Sequence, residues 1–406
     1  MAVRQVEEDG FARCTYRLRV STTAGRALLR EWDGVRWVWN HCVADSKATH
    51  AHNRAHPGEK RTCGAARLDR RLTSWRAEHG WLRAGSSVPQ QQVVRDFARA
   101  RAKALKDTAD RLPVRRRVGM PKFKRKRDAL PSLNYTRRGF RLRDGLLCLA
   151  GGVVVRPVWS RELPSEPTSV RVYLDAVGHW WASFVVEARV EPLPATGAVL
   201  GVDWGVRELA TTTSPDHDLP HPEHGRKAAA RLARYHSRMA RRRPPRGQAA
   251  SKCYRTARRQ AARLHARVRA QRTDTARKWA KRVVRDHDAL AVEDFRPRFL
   301  ARTTMARKAA DAAIAVTKRA LVEMGRKHRR DVRLVNPKYT TMDCGGCGAR
   351  AKHALPLSER TYSCTACGSV CPRDRNSARV MLVRAGLDPA GVEGARPARP
   401  PDEQAV

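Results

Sequence analysis

The stretch VLGVDWGVRELATTT, from Val199 to Thr213, places an acid, Asp203, near the end of an apolar run. Such a run predicts a buried strand, and a second one, DALAVEDF (residues 288–295), carries Glu293. A third strand is predicted at residues 331–335, and a long helical stretch separates the first two. A buried carboxylate is costly without a partner, so Asp203 and Glu293 are candidates for a functional site.

A third acid, Asp374, stands in CPRDRNSARVML at the predicted start of a helix. Taken singly, each acid is also explained by a cap or an ion pair, and Asp374 by an N-cap. Taken together, carboxylates at neighbouring strand ends and a nearby helix converge on one point, where they need cations to stay ionised. Two Mg²⁺ ions suit such a site, since they take oxygen ligands and promote phosphodiester hydrolysis. Alternation along the strand turns Asp294 to the opposite face.

The composition points to a polyanionic partner. The chain has 406 residues and a formal net charge of +44, and residues 226–285 hold 22 Lys and Arg with one acid, Asp274. Such a charge favours nucleic acid, because each neutralised phosphate releases counterions. The sequence has no apolar stretch long enough to predict a membrane span. Its first residues lack the apolar middle of a signal peptide. A cytoplasmic protein without a membrane partner is expected.

Four of the ten cysteines follow a metal-binding spacing. Cys344 and Cys347 form one C-x2-C pair, and Cys364 and Cys367 form another sixteen residues later. Each pair predicts a tight knuckle with two thiolates, and together they supply the four ligands of one closed, structural Zn²⁺ site. Cys371 is interpreted as a bystander.

The first half of the chain is predicted to form a strand-rich base with a helical insertion at residues 24–110. Between the helices and the later strands lies RRRVGMPKFKRKR (residues 115–127), in which eight of thirteen residues are basic. It is either a solvated charged loop or a segment that contacts the backbone of RNA, with an aromatic ring that stacks or packs. The second interpretation assigns nucleic-acid binding to Arg115, Arg116, Arg117, Lys122, Phe123, Lys124, Arg125 and Lys126.

These motifs, in this order, resemble the TnpB nucleases of insertion sequences, also called OrfB-type proteins, which are relatives of the type V CRISPR effectors. GVDWGV, LAVEDF and PRDRNSARVML resemble the three motifs of their RuvC-like domain, and NPKYTTMDCGGCG with LSERTYSCTACG resembles their zinc-binding insertion. VRWVWN (35–40) and GMPKFKRK (119–126) also fit. Pro372 replaces an acid that many members carry in the third motif.

The resemblance implies an α+β multidomain protein. A strand-rich wedge domain is expected at 1–23 and 111–195, with its helical recognition insert at 24–110. An RNase H-like, RuvC-like α/β nuclease domain is expected at 196–343 and 369–387, interrupted by a zinc ribbon at 344–368. Residues 388–406 are expected to be disordered.

The resemblance also assigns the chemistry. Asp203, Glu293 and Asp374 become the catalytic acids that bind two Mg²⁺ ions, and one Zn²⁺ goes to the four cysteines. The implied function is an RNA-guided DNA endonuclease of a transposable element. Its partners are a guide RNA from the element's end and double-stranded DNA with a short adjacent motif. The alternatives are a guide-bound regulator or transposase accessory protein that does not cut, and a transposase that joins strands. The oligomeric state stays open.

Overall fold

The computed structural model describes residues 3–5, 10–126, 129–245, 247–295, 304–353, 355–356 and 358–387. The chain divides into two compact units. One comprises Gly10–Ala188, and the other combines Met1–Asp9 with Arg189–Val406. The predicted disordered tail at 388–406 lies outside the described residues. None of the helices in the described ranges combines the length and apolar character needed to cross a bilayer.

The strands, in chain order, are β1 (Val3–Gln5), β2 (Phe11–Arg19), β3 (Ser132–Thr136), β4 (Phe140–Arg143), β5 (Leu146–Leu149), β6 (Val153–Pro157), β7 (Ser169–Leu174), β8 (Trp180–Glu187), β9 (Val199–Trp204), β10 (Glu208–Thr212), β11 (Leu219–Pro220), β12 (Ala289–Glu293), β13 (Asp331–Val335), β14 (Thr361–Ser363) and β15 (Val370–Pro372). The helices are α1 (Thr22–Ala55), α2 (Ala65–Glu78), α3 (Gly80–Arg83), α4 (Ser87–Ala109), α5 (His224–Arg241), α6 (Lys252–Asp286), α7 (Ala306–Ala312), α8 (Ile314–Lys327) and α9 (Arg373–Ala385).

The unit Gly10–Ala188 is an antiparallel sheet that carries a helical insertion. Its strand order is β3-β7-β8-β2-β6-β5-β4, and helices α1 to α4 are inserted between β2 and β3. Alternation in β2 buries Cys14, Tyr16 and Leu18, which join the core beneath α1. Helix α1 begins at an N-cap, Ser21, whose side chain accepts a hydrogen bond from the Ala24 amide.

The second unit is built on a mixed six-stranded sheet with the order β1-β13-β12-β9-β10-β11. Strands β9, β12 and β13 are parallel, and β10 returns antiparallel beside β9. All five residues of β12 are buried, which is expected for a central strand with both faces covered. Leu200 and Val202 pack with residues of α6 and α8, whereas Ala291 packs with residues of α9. The helices therefore cover both faces of the sheet.

One expected boundary is wrong. The prediction assigned residues 1–23 to the wedge domain, but Val3–Gln5 pairs antiparallel with β13 in the sheet of the second unit. A three-residue strand has too little pattern to show which sheet it joins, because its partner is more than 300 residues away in sequence. The two units also divide at Ala188, a few residues before the expected boundary at 195.

Candidate active site and metal centre

Parallel pairing brings Asp203 and Glu293 side by side. In the register of β9 and β12, Val202 is opposite Val292, so the next residue of each strand is an acid. Both acids lie on the face that α9 covers, because side chains alternate and Leu200, Val202 and Val292 all point to the other face. Glu293 is buried and Asp203 is half-buried. The sequence prediction that these acids lie at neighbouring strand ends is consistent with this register.

Helix α9 brings the third acid to the same place. A Cβ atom at Gly201 would lie 2.0 Å from the carbonyl oxygen of Ala378, so only glycine allows the helix to approach the strand this closely. Asp203 lies two residues after Gly201 on the same face, and Asp374 lies one helical turn before Ala378. The N-cap position of α9 is Pro372, so Asp374 lies inside the first turn. The alternative that Asp374 is an N-cap is therefore wrong.

The electrostatics show that the three carboxylates interact. Burial, followed by the charges of Glu293 and Asp374, raises the pKa of Asp203 well above its ordinary value, and Arg373 opposes this shift. Burial raises the pKa of Glu293 to about 7, although the Trp204 amide and Lys318 favour its ionised form. The chain thus holds acids where their negative charges are poorly compensated by its own residues.

Two hydrogen bonds from Trp204 fix Glu293 in place. The backbone amide of Trp204 donates to Glu293 Oε2 at 3.1 Å, and its indole Nε1 donates to the Glu293 carbonyl at 3.1 Å. Asp294 forms an ion pair with Lys318 of α8 at 2.6 Å, on the opposite face, as alternation predicts. The sequence analysis did not predict the contacts of Trp204 to Glu293.

Arg375 is a further residue that the sequence analysis missed. Its guanidinium donates to the Thr212 carbonyl and to Asp218, with an Nη2–Oδ2 distance of 2.8 Å. Asp218 also accepts from the Thr212 amide at 2.7 Å. Because Arg375 is adjacent to Asp374, these bonds fasten the first turn of α9 to strand β10. An arginine among 83 basic residues gives no sequence signal for such a role.

The four predicted cysteines form one cluster. The Sγ atoms of Cys344, Cys347, Cys364 and Cys367 all lie within 4.8 Å of one another. In each knuckle the glycine after the second cysteine, Gly348 or Gly368, has a positive φ and donates to the carbonyl of the first cysteine. Four sulfur ligands in a closed cluster match the donor set of structural zinc. Within the described ranges, the three acids do not approach one another this closely.

The cysteine cluster is attached directly to α9. The Asn376 side chain accepts from the Gly345 amide at 2.9 Å and donates to the Asp343 carbonyl at 2.8 Å. Arg384 of the same helix pairs with the Asp343 carboxylate at 2.5 Å. A Cβ atom at Gly345 would lie 2.8 Å from the Arg379 side chain, so the first knuckle rests against the helix that carries Asp374.

The basic segment Arg115–Lys126 is anchored on α1. Trp39 Nε1 donates to the Lys122 carbonyl at 2.9 Å. The Asn40 amide group donates to the Lys124 carbonyl at 3.1 Å and accepts from the Lys124 amide at 2.8 Å. The Lys124 ammonium lies 3.8 Å from the centre of the Trp39 ring, and burial lowers its pKa. The two sequence motifs VRWVWN and GMPKFKRK are therefore a single structural unit.

The predicted RNA-contact residues are placed differently from one another. Lys124 is half-buried, whereas the other seven, Arg115, Arg116, Arg117, Lys122, Phe123, Arg125 and Lys126, are exposed. Lys47 lies over the Phe123 ring at 4.8 Å, and Lys126 pairs with Asp33 at 3.0 Å. The backbone of the segment is thus fixed by hydrogen bonds to α1, and most of its basic side chains are exposed. Lys124 instead packs against Trp39.

The chain is similar to known families and to a named relative. Residues 183–303 match the family OrfB_IS605, described as "Probable transposase", and residues 317–381 match the "Cas12f1-like, TNB domain". A Streptomyces pristinaespiralis protein named "Putative RNA-guided DNA endonuclease" is 32% identical over 391 residues, which cover 95% of this chain and 92% of the relative.

Two further similarities are more limited. "CRISPR-associated DNA-binding protein Cas12m" of Allomeiothermus silvanus is 35% identical over 124 residues, or 28% of this chain and 23% of the relative. The structure titled "Cryo-EM structure of the Cas12f1-sgRNA-target DNA complex" aligns with a TM-score of 0.51 at 10% identity, covering 93% of this chain and 98% of that chain. That likeness concerns the fold.

Fold and site together define a RuvC-containing architecture of the type V kind, with a four-cysteine module inserted between strand β13 and helix α9. By its identity to the Streptomyces relative over nearly the whole chain, the protein belongs to the TnpB-like family of OrfB-type proteins.

Proposed function

We propose that this protein is an RNA-guided DNA endonuclease that hydrolyses phosphodiesters at Asp203, Glu293 and Asp374. The observation that carries the proposal is the convergence of three acids from two strands and one helix, where burial and the charges of Glu293 and Asp374 raise the pKa of Asp203. Such an arrangement is unfavourable unless cations enter it, and perturbed carboxylates of this kind cluster at functional sites. The activity named for the Streptomyces relative supports the same assignment.

The three carboxylates would hold two Mg²⁺ ions. These ions, when bound, lower the pKa of a water and stabilise the charge that develops on the leaving oxygen. The chain supplies the fixed ligand positions. The Trp204 amide holds the Glu293 carboxylate, Gly201 lets α9 approach the strand, and Arg375 fastens the turn that contains Asp374. All three acids are oxygen donors, the type that Mg²⁺ prefers.

The four cysteines would hold one structural Zn²⁺ ion. All four ligand positions are filled by protein sulfur, so this centre would be closed to substrate. Its contact with α9 through Asn376 gives it a mechanical role, since a metal-stabilised knuckle supports the helix that presents Asp374.

The nucleic-acid partners would be a guide RNA from the element's end and a DNA duplex with a short adjacent motif. The net charge of +44 supports polyanion binding, and the relatives' names refer to RNA guidance and DNA binding. In such proteins base pairing reads the target sequence, whereas the protein reads the adjacent motif. The exposed side chains of the Arg115–Lys126 segment are the predicted binding site of the RNA backbone.

A second candidate function is guide-directed DNA binding without cutting, because one relative is named as a DNA-binding protein. Retention of all three acids at one point favours cutting. A binding protein has no need to keep three interacting carboxylates, one of them buried, close to an anionic ligand.

The test begins with RNA that co-purifies with the protein from its host. Sequencing this RNA defines the guide, and a DNA library with a matching target and randomised flanks is then offered in magnesium buffer. Wild-type protein should cut a subset of the library that shares a flanking motif. Asp203→Asn should lower the rate at least about a hundredfold and leave RNA retention unchanged.

The matched control is Asp216→Asn, which neutralises an exposed aspartate of the same unit. It should cut like the wild type. Undiminished cutting by Asp203→Asn would remove this residue from the site. Wild-type protein that binds guide and target but does not cut would support the second candidate function.

A further inference from the structure

A cluster of five rings lies in the helical insertion of the Gly10–Ala188 unit. We define the aromatic cluster as Trp37, His41, Trp75, His79 and Trp81. The Trp37 ring is its centre, stacked on His41 at 3.5 Å and in edge contacts with the other three rings at 5.1 to 5.7 Å. Trp75 is buried, but Trp81 is 54% exposed.

The exposed ring is held on a rigid support. The adjacent Leu82 is fully buried, so helix α3 is fixed with Trp81 pointing to solvent. The Arg76 guanidinium donates to the carbonyls of Leu82, Arg83 and Gly85, each at 3.1 Å, and thus immobilises the turn. A rigid exposed aromatic ring loses little conformational entropy when it binds a ligand. Such rings serve as stacking platforms for unpaired bases.

The charge around the cluster fits a polyanion. Residues 65–83 hold five arginines and two acids. The Arg71 guanidinium lies 5.5 Å from the centre of the Trp75 ring, and the Arg83 side chain beside Trp81 is exposed. Basic groups interleaved with aromatic rings combine backbone neutralisation with base stacking. An apolar protein partner would be a poorer match for a surface of this charge.

The cluster also adjoins the basic segment. One turn of α1 carries Trp37 and His41 in the cluster, and the same turn carries Trp39 and Asn40, which hold Lys122 and Lys124. Asn40 lies about 60° around the helix from Trp37, on a neighbouring face, so a strand lying on the basic segment passes near the rings. This continuity favours the RNA, which the proposed function places on that segment, as the ligand of the cluster.

We propose that Trp81, supported by Trp37 and His79, is a stacking platform for an unpaired base of the RNA. The inference rests on the proposed function only in taking RNA as a partner, and it requires no cutting. Because stacking is apolar, the contact contributes affinity without releasing counterions. It therefore predicts a loss of affinity with an unchanged salt dependence when the ring is removed.

The experiment measures binding of the full-length protein to a fluorescein-labelled 12-nucleotide oligo(A) RNA by anisotropy at several salt concentrations. Trp81→Ala should weaken binding on the order of tenfold or more, with the slope of log Kd against log salt unchanged. Trp81→Phe, which keeps a ring, should recover most of the affinity, whereas Trp81→Leu, which keeps apolar bulk, should not. The matched control is Phe11→Ala, since Phe11 is an exposed ring of the same unit outside the cluster.

Wild-type affinity in Trp81→Ala would overturn the proposal, as would equal affinities of the Phe and Leu variants. A loss confined to a DNA 12-mer of the same sequence would overturn the assignment to RNA. If Trp81→Ala unfolds at a lower temperature than the wild type, the RNA affinities of Trp81→Phe and Trp81→Leu decide whether the ring stacks on a base. If the protein performs guide-directed cutting but Trp81→Ala binds RNA like the wild type, the stacking proposal fails and the proposed function stands. Stacking in a protein that never cuts would exclude only the nuclease.

Discussion

Glu293 shows what a single side chain contributes to this site. It is the last residue of the most buried strand of its sheet, and its carboxylate accepts from the Trp204 amide. Its pKa of about 7 means that burial outweighs this hydrogen bond and the charge of Lys318. The fold thus places an acid where its ionised form is destabilising, a cost that is typical of residues retained for function.

This cost gives a pH dependence. The pKa of Glu293 rises from its ordinary 4.5 to about 7 on folding, so the folded state binds more protons between these values and its stability falls as pH rises through them. Protonation of Glu293 contributes to the free energy of unfolding on the order of 3 kcal/mol. This contribution is complete below about pH 4.5 and is lost above about pH 7. Glu293→Gln should therefore unfold at a higher temperature than wild type at pH 8 in magnesium-free buffer, and at a similar temperature at pH 5.

The measurement is thermal unfolding of protein that retains zinc, at both pH values and with or without Mg²⁺. Glu208→Gln, which changes an exposed glutamate of strand β10, is the control and should behave like the wild type. Magnesium should stabilise the wild type more than Glu293→Gln. A Glu293→Gln variant less stable than wild type at pH 8 would contradict the assigned pKa shift.

Helix α9 is one element that connects the three acids with the cysteine cluster. Asp374 lies in its first turn, Asn376 reaches the first cysteine knuckle, and Ala378 lies against Gly201. Asn376 is only 3% exposed, and both polar ends of its amide are bonded to the knuckle backbone. The position of Asp374, a proposed catalytic acid, is therefore connected to the fold of the cysteine module.

Asn376→Ala tests this connection. It leaves a buried amide and a buried carbonyl without partners and should destabilise the contact by about 2 kcal/mol. We expect faster zinc loss to a chelator and a lower cleavage rate, with RNA affinity unchanged. Ser377→Ala removes a neighbouring buried side chain whose hydrogen bond, to the Thr340 carbonyl, is a long 3.5 Å, and should change each quantity less. Cleavage unaffected by accelerated zinc loss would show that the knuckle does not support Asp374.

Replacement of a zinc ligand should have a larger effect on the module. Cys364→Ser leaves three sulfur ligands, and the purified protein should then hold well under one zinc per chain. Cys371→Ser is the matched control, because Cys371 lies half-buried in the same hairpin but outside the four-sulfur cluster. It should retain about one zinc. Metal analysis of both proteins decides, and equal zinc contents would argue against a four-cysteine site.

Across the whole chain, we expect a basic side chain to contact RNA only where it is exposed. In the Arg115–Lys126 segment, Lys124 is used for packing against Trp39, so neutralising it should lower stability. Replacing Lys122, Arg125 and Lys126 by alanine should instead weaken RNA binding and reduce the salt slope by up to about one unit per lost phosphate contact.

A charge-matched triple variant controls for the general field of the protein. Arg141, Arg143 and Arg156 are exposed arginines of strands β4 and β6 in the same unit. Their replacement by alanine removes the same charge and should change RNA affinity and salt slope less. Equal effects of the two triple variants would mean that the RNA follows the total charge and not the Arg115–Lys126 segment.

Local patterns determined a large part of this description. The apolar runs predicted strands β9, β12 and β13, because burial of strand faces imposes such patterns. The cysteine spacing predicted the four-sulfur cluster, because two tight knuckles leave few other ways to arrange four thiols. Alternation also separated Glu293 from Asp294, which pairs with Lys318 on the other face.

Tertiary structure decided what depends on distant partners. Only the folded chain shows that Val3–Gln5 joins the sheet of the second unit, that Asn40 holds Lys124, and that Asn376 joins the cysteine module to α9. A short strand, an amide side chain or one arginine among many has the same local sequence signal whether or not it has such a partner. Periodicity reports which face of an element is buried, but the partner across that face is set by packing between segments far apart in the chain.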